Sequence, residues 1–333
     1  MMKRMLHLVL FVGLLSLLSV AGLQGQTDDS VVCPTFQRQA FNGFSTACAG
    51  TEAGEYCYGY NSVVATQAEN APIEDFTLGD RLAIDEIESI TSQPYSREDD
   101  QWGLSLLRLP DVNASEPNLR YILFGGVEIA DTDEPDATFS PLQSFVFATA
   151  EENACVDTPS TLFVQSDCDF DARQFRAEGV NFTIDGAAVI TGGGETGFIN
   201  VQVIYGLVYI EPDVYSDGVA EPGDVTERIT VPVGYSVTAP LNFGEPITSE
   251  DRVGDWSEIT PLTAEDLANL TFLRSIPQNF GYCPILIPTI RQASGVGDVQ
   301  ETLRFSSVRP LQPVIPLCGV DAPPEFCTYL GLT

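Results

Sequence analysis

Phe198-Ile199-Asn200-Val201-Gln202-Val203-Ile204-Tyr205-Gly206-Leu207-Val208-Tyr209-Ile210 decides the fold class. β-Branched and aromatic residues recur there with period two around a glycine, the pattern of paired strands or of one bulged strand. After an acidic loop, Ile229-Thr230-Val231-Pro232-Val233-Gly234-Tyr235-Ser236-Val237-Thr238 repeats the alternation. The centre of the chain therefore reads as β.

The same grammar extends outward. Residues 101–109, 119–129 and 142–148 are alternating or continuous apolar runs, separated by Pro110, Asn113, Pro117 and Pro135, and each predicts a strand. Between Val180 and Ile190, Asp185-Gly186 lies between two alternating runs, which predicts a hairpin with a two-residue turn there. The triple glycine 192–194 predicts a loop; it lacks the Lys-Ser/Thr of a phosphate-binding loop. Thr263-Ala264-Glu265-Asp266 ahead of Leu267, Leu270 and Leu273 predicts a helix capped by Thr263 and ended by Pro277. Beyond it, Pro284, Pro288, Pro310, Pro313, Pro316, Pro323 and Pro324 punctuate a tail that does not suit a helix. Near the other end, Phe36, Ala40 and Phe44 recur every four residues after Pro34. That spacing predicts a short amphipathic helix with Pro34 at its first position.

Lys3 and Arg4, an apolar run from Leu6 to Val20 and small residues at Ser19, Ala21, Gly22 and Gly25 predict a secretory signal peptide over 1–26. The run is nearly long enough to span a bilayer, so an uncleaved anchor is the alternative; no other membrane insertion is expected. The eight cysteines, Cys33, Cys48, Cys57, Cys155, Cys168, Cys283, Cys318 and Cys327, all follow it. An even count in an exported chain predicts four disulfides. Spacing suggests Cys48 with Cys57, Cys155 with Cys168 and Cys318 with Cys327, leaving Cys33 for Cys283. A helix after Cys33 would hold it about 20 Å from Cys48, too far to bond.

Lys+Arg number 15 against 47 Asp+Glu, for a net charge of −32; loss of Lys3 and Arg4 takes this to −34. Such a surface repels nucleic acid and anionic membranes. It suits either high salt, where carboxylates are screened, or a genome that favours arginine. Lys3 is the only lysine and His7 the only histidine. The processed chain thus has no Ser-His-Asp triad, Cys-His dyad, imidazole ligand or Schiff-base lysine.

What remains is carboxylate chemistry. Paired acids run glycoside hydrolysis without histidine or lysine; Asp85, Glu86 and Glu88, or Asp255 and Glu258 around Trp256, are candidates, with Trp102 and Trp256 as stacking platforms or, more commonly for such residues, core. Calcium is the one cofactor the spacing suggests. Asp167, Asp169, Asp171 and Glu178 fall at positions 1, 3, 5 and 12 of an EF-hand-type loop. However, Ala172 replaces the usual glycine and the flanks read as extended, so a solvated acidic loop explains the same residues. Asp131, Asp133 and Asp136 form a sparser cluster. Asn113, Asn181 and Asn269 begin N-glycosylation patterns.

Two resemblances accompany these readings. Cys33…Cys48…Cys57-Tyr58-Gly59, with Trp102-Gly103-Leu104-Ser105-Leu106-Leu107 and Val231-Pro232-Val233-Gly234-Tyr235, resembles a group of uncharacterised secreted bacterial proteins and implies export. Residues 180–238 resemble the β domain of FecR-like proteins, in which strands flanking a G-x-V-x-V turn precede a VPxG strand. The signalling members carry a cytoplasmic anti-sigma segment before a membrane helix; this chain shows none, so the signalling role does not transfer.

The expectation is a mainly β, disulfide-stapled secreted protein. A Cys-rich helical module (27–62) precedes a β-sandwich-like body (63–261), divided into sub-sheets at 63–155 and 156–261, and a helix with a proline-rich tail follows (262–333). The role expected is a non-catalytic extracellular or envelope binding or structural module that contacts a polysaccharide or a protein. A carbohydrate-active enzyme and a FecR-like sensory domain are the alternatives.

Overall fold

The computed structural model of the chain describes residues 29–67, 71–73, 76–96, 98–99, 101–110, 117–132, 139–150, 160–166, 172–193, 197–211, 228–241, 253–270, 272–273 and 276. Helix α1 spans Asp29–Ala47. The first strands are β1 (Glu55–Tyr60), β2 (Val63–Gln67), β3 (Ala71–Pro72), β4 (Arg81–Ala83), β5 (Ser89–Ser92), β6 (Leu104–Pro110), β7 (Pro117–Phe124) and β8 (Val127–Asp131). They are followed by β9 (Ser144–Thr149), β10 (Thr161–Ser166), β11 (Arg173–Ala177), β12 (Val180–Gly192), β13 (Phe198–Glu211), β14 (Ile229–Pro232), β15 (Tyr235–Pro240) and β16 (Thr260–Pro261). Helix α2 spans Ala264–Asn269. The chain divides into two units, Met1–Phe36 and Gln37–Thr333. The described part of the first is the opening of α1; the remainder of α1, the strands and α2 belong to the second.

The spine is the antiparallel pair β12–β13, in register from Asn181 opposite Glu211 to Gly192 opposite Ile199. Ala187 faces Tyr205 while Ala188 faces Val203, so Ile204 is one residue too many for its partner. That is a β-bulge, and 198–210 is one bulged strand. The second alternating run splits around it. β15 pairs with residues 198–202 of β13 and β14 with residues 207–210. The Gly234 N–H between them donates to the Val203 carbonyl at 2.8 Å.

Asp185-Gly186 is not a turn. Strand β12 runs through it, and Gly186 lies opposite Gly206 with φ of +136° and +68°. A Cβ on Gly186 would stand 2.2 Å from the Tyr205 carbonyl oxygen, and one on Gly206 1.8 Å from that of Asp185. Two backbones approach here more closely than any side chain allows, which is the other reason for glycine inside a strand. The turn is Glu178-Gly179, both at positive φ (52° and 81°), between Ala177 and Val180, which pair. This is the two-residue geometry that matches strand twist.

One edge of β12 carries β13; the other is shared, with β11 on residues 180–184 and β10 on 187–190. From that fork two wings diverge. Wing one runs β11-β9-β8-β5-β2-β3 and wing two β10-β7-β6-β1-β4. Their inner faces meet in one core, where Tyr121 of wing two lies edge-on to Phe145 and Phe175 of wing one at 5.4 and 6.0 Å. The body is mainly β, as expected, but it is one forked and curled sheet. Each wing draws strands from both sides of residue 155, so the division at 155/156 does not separate two sub-sheets.

Buried hydroxyls fasten the seams, each to a glycine. The expected single strand 119–129 breaks at Gly125-Gly126, where the chain crosses from β7 in wing two to β8 in wing one. There Ser92 donates to the Gly125 carbonyl at 2.6 Å, and the Gly126 N–H donates to Ser160 at 2.9 Å. The Gly192 and Gly186 N–H groups donate to Thr149 and Ser166, both at 2.8 Å. Glycine lets the backbone bend there, and the hydroxyl accepts the N–H that the ladder leaves over.

The outer face of wing two is apolar: Leu104, Leu106, Ile122, Phe124 and Phe163 are all buried. Helix α1 covers part of it, with Phe41 edge-on to Trp102 (5.5 Å) and Phe124 (5.6 Å). The segment after α2 covers more, Phe272 meeting Phe124 at 5.1 Å. Helix α1 starts at Asp29, so Pro34 lies inside it and not at its first position; buried Ala40, Phe41 and Phe44 hold the helix by packing. Cys48 and Cys57 are disulfide-bonded, as spacing suggested, with Cα atoms 5.8 Å apart. Two residues on, a Cβ at Gly59 would meet the Phe44 ring at 2.1 Å. Cys57-Tyr58-Gly59 is therefore a docking device: the disulfide ties the helix end and the glycine seats a ring. At α2, Thr263 accepts the Asp266 N–H (3.2 Å) while the Asp266 carboxylate accepts the Thr263 N–H (2.7 Å), the predicted cap.

Candidate contact surface

The face of the sheet built by β12, β13 and β14 carries no described helix beyond Gln202, whose side-chain amide donates to Asp266 of α2 at 3.3 Å. Past that point Tyr205, Leu207 and Tyr209 stand at alternate positions of β13, all partly exposed, while Val208 and Ile210 fill the core. The bulge makes this division. Without it, period two from Ile199, Val201 and Val203 would carry 205, 207 and 209 inward; the extra residue turns them out.

Neighbours are fixed by register: Thr183 and Thr230 flank Tyr209, and Asp185 and Pro232 flank Leu207. The Arg228 guanidinium lies 3.9 Å from the Tyr209 ring centroid, and its Nε is 3.3 Å from a Glu211 carboxylate oxygen. Both charges are about half exposed, 48% and 45%, so the pair is worth at most about 1 kcal/mol; its effect is to orient the ring and neutralise Glu211. Partial burial, then the Asp185 charge, raises the Tyr205 phenol above its usual value. The result is an aromatic-aliphatic stripe on a rigid ribbon, bordered by hydroxyl groups and the Asp185 carboxylate. The glycine within the run, which the sequence left open between paired strands and one bulged strand, marks the place where the parity changes.

The acids singled out from sequence lie elsewhere. Asp85 and Glu86 are exposed on the short 3-10 turn Ile84–Glu86, Glu88 is partly exposed, and Asp255 and Glu258 are exposed. Trp102 is core, 1% exposed. Trp256 is partly buried, edge-on to Phe182 at 6.2 Å.

Asp167, Asp169 and Asp171 of the calcium pattern lie outside the described residues. Its fourth member, Glu178, is buried in the β11–β12 turn, where one carboxylate oxygen accepts the Phe147 N–H at 2.8 Å and its own N–H donates to Phe145 at 3.1 Å. The parallel pairing of β11 with β9 stops at Ala177 opposite Phe145, and the Glu178 side chain extends it by one acceptor. Asp131 accepts the Leu142 N–H at 3.1 Å, whereas Asp133 and Asp136 lie outside the described residues. So do Asn113, Cys155, Cys168, Cys283, Cys318 and Cys327; Cys33 falls within α1, Asn181 in β12 and Asn269 at the end of α2.

No family model matches the chain. No curated protein matches it either. Among solved structures it is similar to the crystal structure of a candidate anti-sigma factor from Parabacteroides distasonis ATCC 8503, with 11% identity and a TM-score of 0.27, over 47% of this chain and 56% of that one. The match thus spans little more than half of that protein, and likeness at this level carries no argument about fold or activity.

Proposed function

We propose that the protein is a non-catalytic, secreted binding module that holds an extracellular or envelope polysaccharide of low charge on the face formed by Tyr205, Leu207 and Tyr209. The observation that carries this reading is the outward stripe itself. Apolar and aromatic side chains stay partly exposed on a strand whose other side is fully committed to the core, and rigid aromatics bring contact area at low entropic cost. The charge of the chain supports a neutral partner, since a polyanion would meet 47 carboxylates. Hydroxyl and phenol groups around the stripe suit a hydroxyl-rich ligand.

The test is co-sedimentation of the purified chain with the neutral polysaccharide of its own envelope, counting reducing ends released. Retention without release is expected. Release of reducing ends would instead favour a carbohydrate-active enzyme working through an Asp/Glu pair. Absence of retention, with capture of an envelope protein in its place, would make the stripe a protein contact.

A further inference from the structure

Beyond Leu207 the outward face of the ribbon ends in a compact polar patch. Tyr209 lies between Thr183 of β12 and Thr230 of β14. Two residues further along, on the same face, come Asn181, Glu211 and Arg228. Asn181 is opposite Glu211, and the pairing of Ile210 with Ile229 brings Arg228 to the other side of Glu211. All six but Thr183 are partly or fully exposed. Neighbouring strands stand about 4.8 Å apart and alternate residues about 6.6–6.8 Å apart, so the two rows cover about 7 by 10 Å around one aromatic ring. That is room for one sugar ring.

Arg228 and Glu211 approach through Nε and one carboxylate oxygen at 3.3 Å, while the guanidinium rests on the Tyr209 ring. Among the described residues no hydrogen bond of ordinary geometry engages either charged group. An exposed pair of this kind adds little to stability, so stability does not account for its place at the end of the stripe. Its chemistry does. A guanidinium only donates hydrogen bonds and a carboxylate only accepts them, whereas a hydroxyl does both. Adjacent hydroxyls on one sugar therefore satisfy the pair together, one accepting from Arg228 and the next donating to Glu211. An anionic ligand is repelled by Glu211 and a cationic one by Arg228; a neutral, hydroxyl-bearing one meets neither repulsion.

Given the polysaccharide reading of this face, on which it rests, we infer that Arg228 and Glu211 form a specificity subsite for two adjacent hydroxyl groups of one neutral sugar lying against Tyr209. Thr183, Thr230 and Asn181 border the same sugar. The test is a binding titration of the full chain with the neutral polysaccharide of its own envelope and with a carboxymethylated preparation of that polymer. The parent is compared with Glu211→Gln, Arg228→Gln and a control, Glu86→Gln, on the exposed turn after β4 at the far end of wing two. Each change at the pair is expected to weaken binding of the neutral polymer about tenfold. The preference for the neutral polymer should move in opposite directions: it narrows in Glu211→Gln, which leaves Arg228 to attract carboxylates, and widens in Arg228→Gln, which leaves Glu211 to repel them. At about 0.15 M salt charges act over about 8 Å, so Glu86→Gln should leave both polymers within about twofold of the parent. A merely structural role for the pair would weaken both polymers in proportion. Neutral-polymer binding within about twofold of the parent in both pair variants, or proportional losses, overturns the inference and leaves the polysaccharide reading standing. Failure of the parent to retain the neutral polymer overturns both.

Discussion

The outer faces of the sheet are treated in opposite ways. On wing two, Leu104, Leu106, Ile122, Phe124 and Phe163 are greasy and sealed under α1 and the residues after α2. On the ribbon β12–β14 the outward residues are Tyr205, Leu207, Tyr209, Thr183 and Thr230, and no described helix lies on them beyond Gln202. A strand face buried on both sides contributes stability; one left partly exposed with rings in place is free to make contacts. Burial thus separates the face that holds the fold from the face left free to make contacts.

The sharpest way to break this contrast is on the sealed face. Phe41→Ala removes the ring packed on Trp102 and Phe124 and is expected to cost about 3–5 kcal/mol, read from the urea midpoint; a loss under about 1 kcal/mol would mean that α1 is not structural cover. Next comes the Glu178 tie. Glu178→Ala leaves the Phe147 N–H without its acceptor and should cost about 1–3 kcal/mol, while Glu178→Gln, which keeps an acceptor oxygen, should lose clearly less.

Smaller again is an alkaline effect from inside the sheet. The phenols of Tyr56 and Tyr121 are raised by burial, so the native state keeps protons that the unfolded chain releases above about pH 10. Stability is full below that pH and falls as pH rises, by up to about 1.4 kcal/mol per pH unit for each phenol. Tyr121→Phe should flatten the decline, and an unchanged slope would show that the ring titrates freely. The smallest stability effect belongs to the open face. Tyr205→Ala with Leu207→Ala should change unfolding free energy by under about 1 kcal/mol while weakening polysaccharide retention at least about tenfold, since truncated aromatic anchors commonly cost over 1 kcal/mol of binding.

Much of this architecture was legible in the chain. Period two around Gly206, the cap at Thr263 and the short Cys48–Cys57 spacing each named a local physical device that the fold uses. What failed were signals with two physical meanings. Glycine after Asp185 serves a turn or a close approach, and only the partner strand, with Gly206 opposite, decides which. Glycines 125 and 126 sit inside an apolar run that looks continuous, although the chain changes wing there. Glu178 has a use that its ligand-like spacing does not show: its carboxylate accepts the Phe147 N–H, 31 residues away, while Asp167, Asp169 and Asp171 lie outside the described residues. The outward stripe was hidden for a related reason: one bulged residue, Ile204, inverts the parity of everything after it, and bulges have no side-chain signature of their own.

Hydroxyl-radical footprinting of the chain, with and without its envelope polysaccharide, separates the β12–β14 face from the rest of the surface. Protection of Tyr205, Leu207 and Tyr209, with exposed Leu78 and Val64 unchanged, is the predicted result. Retention of the polysaccharide with no protection at those three residues would contradict it.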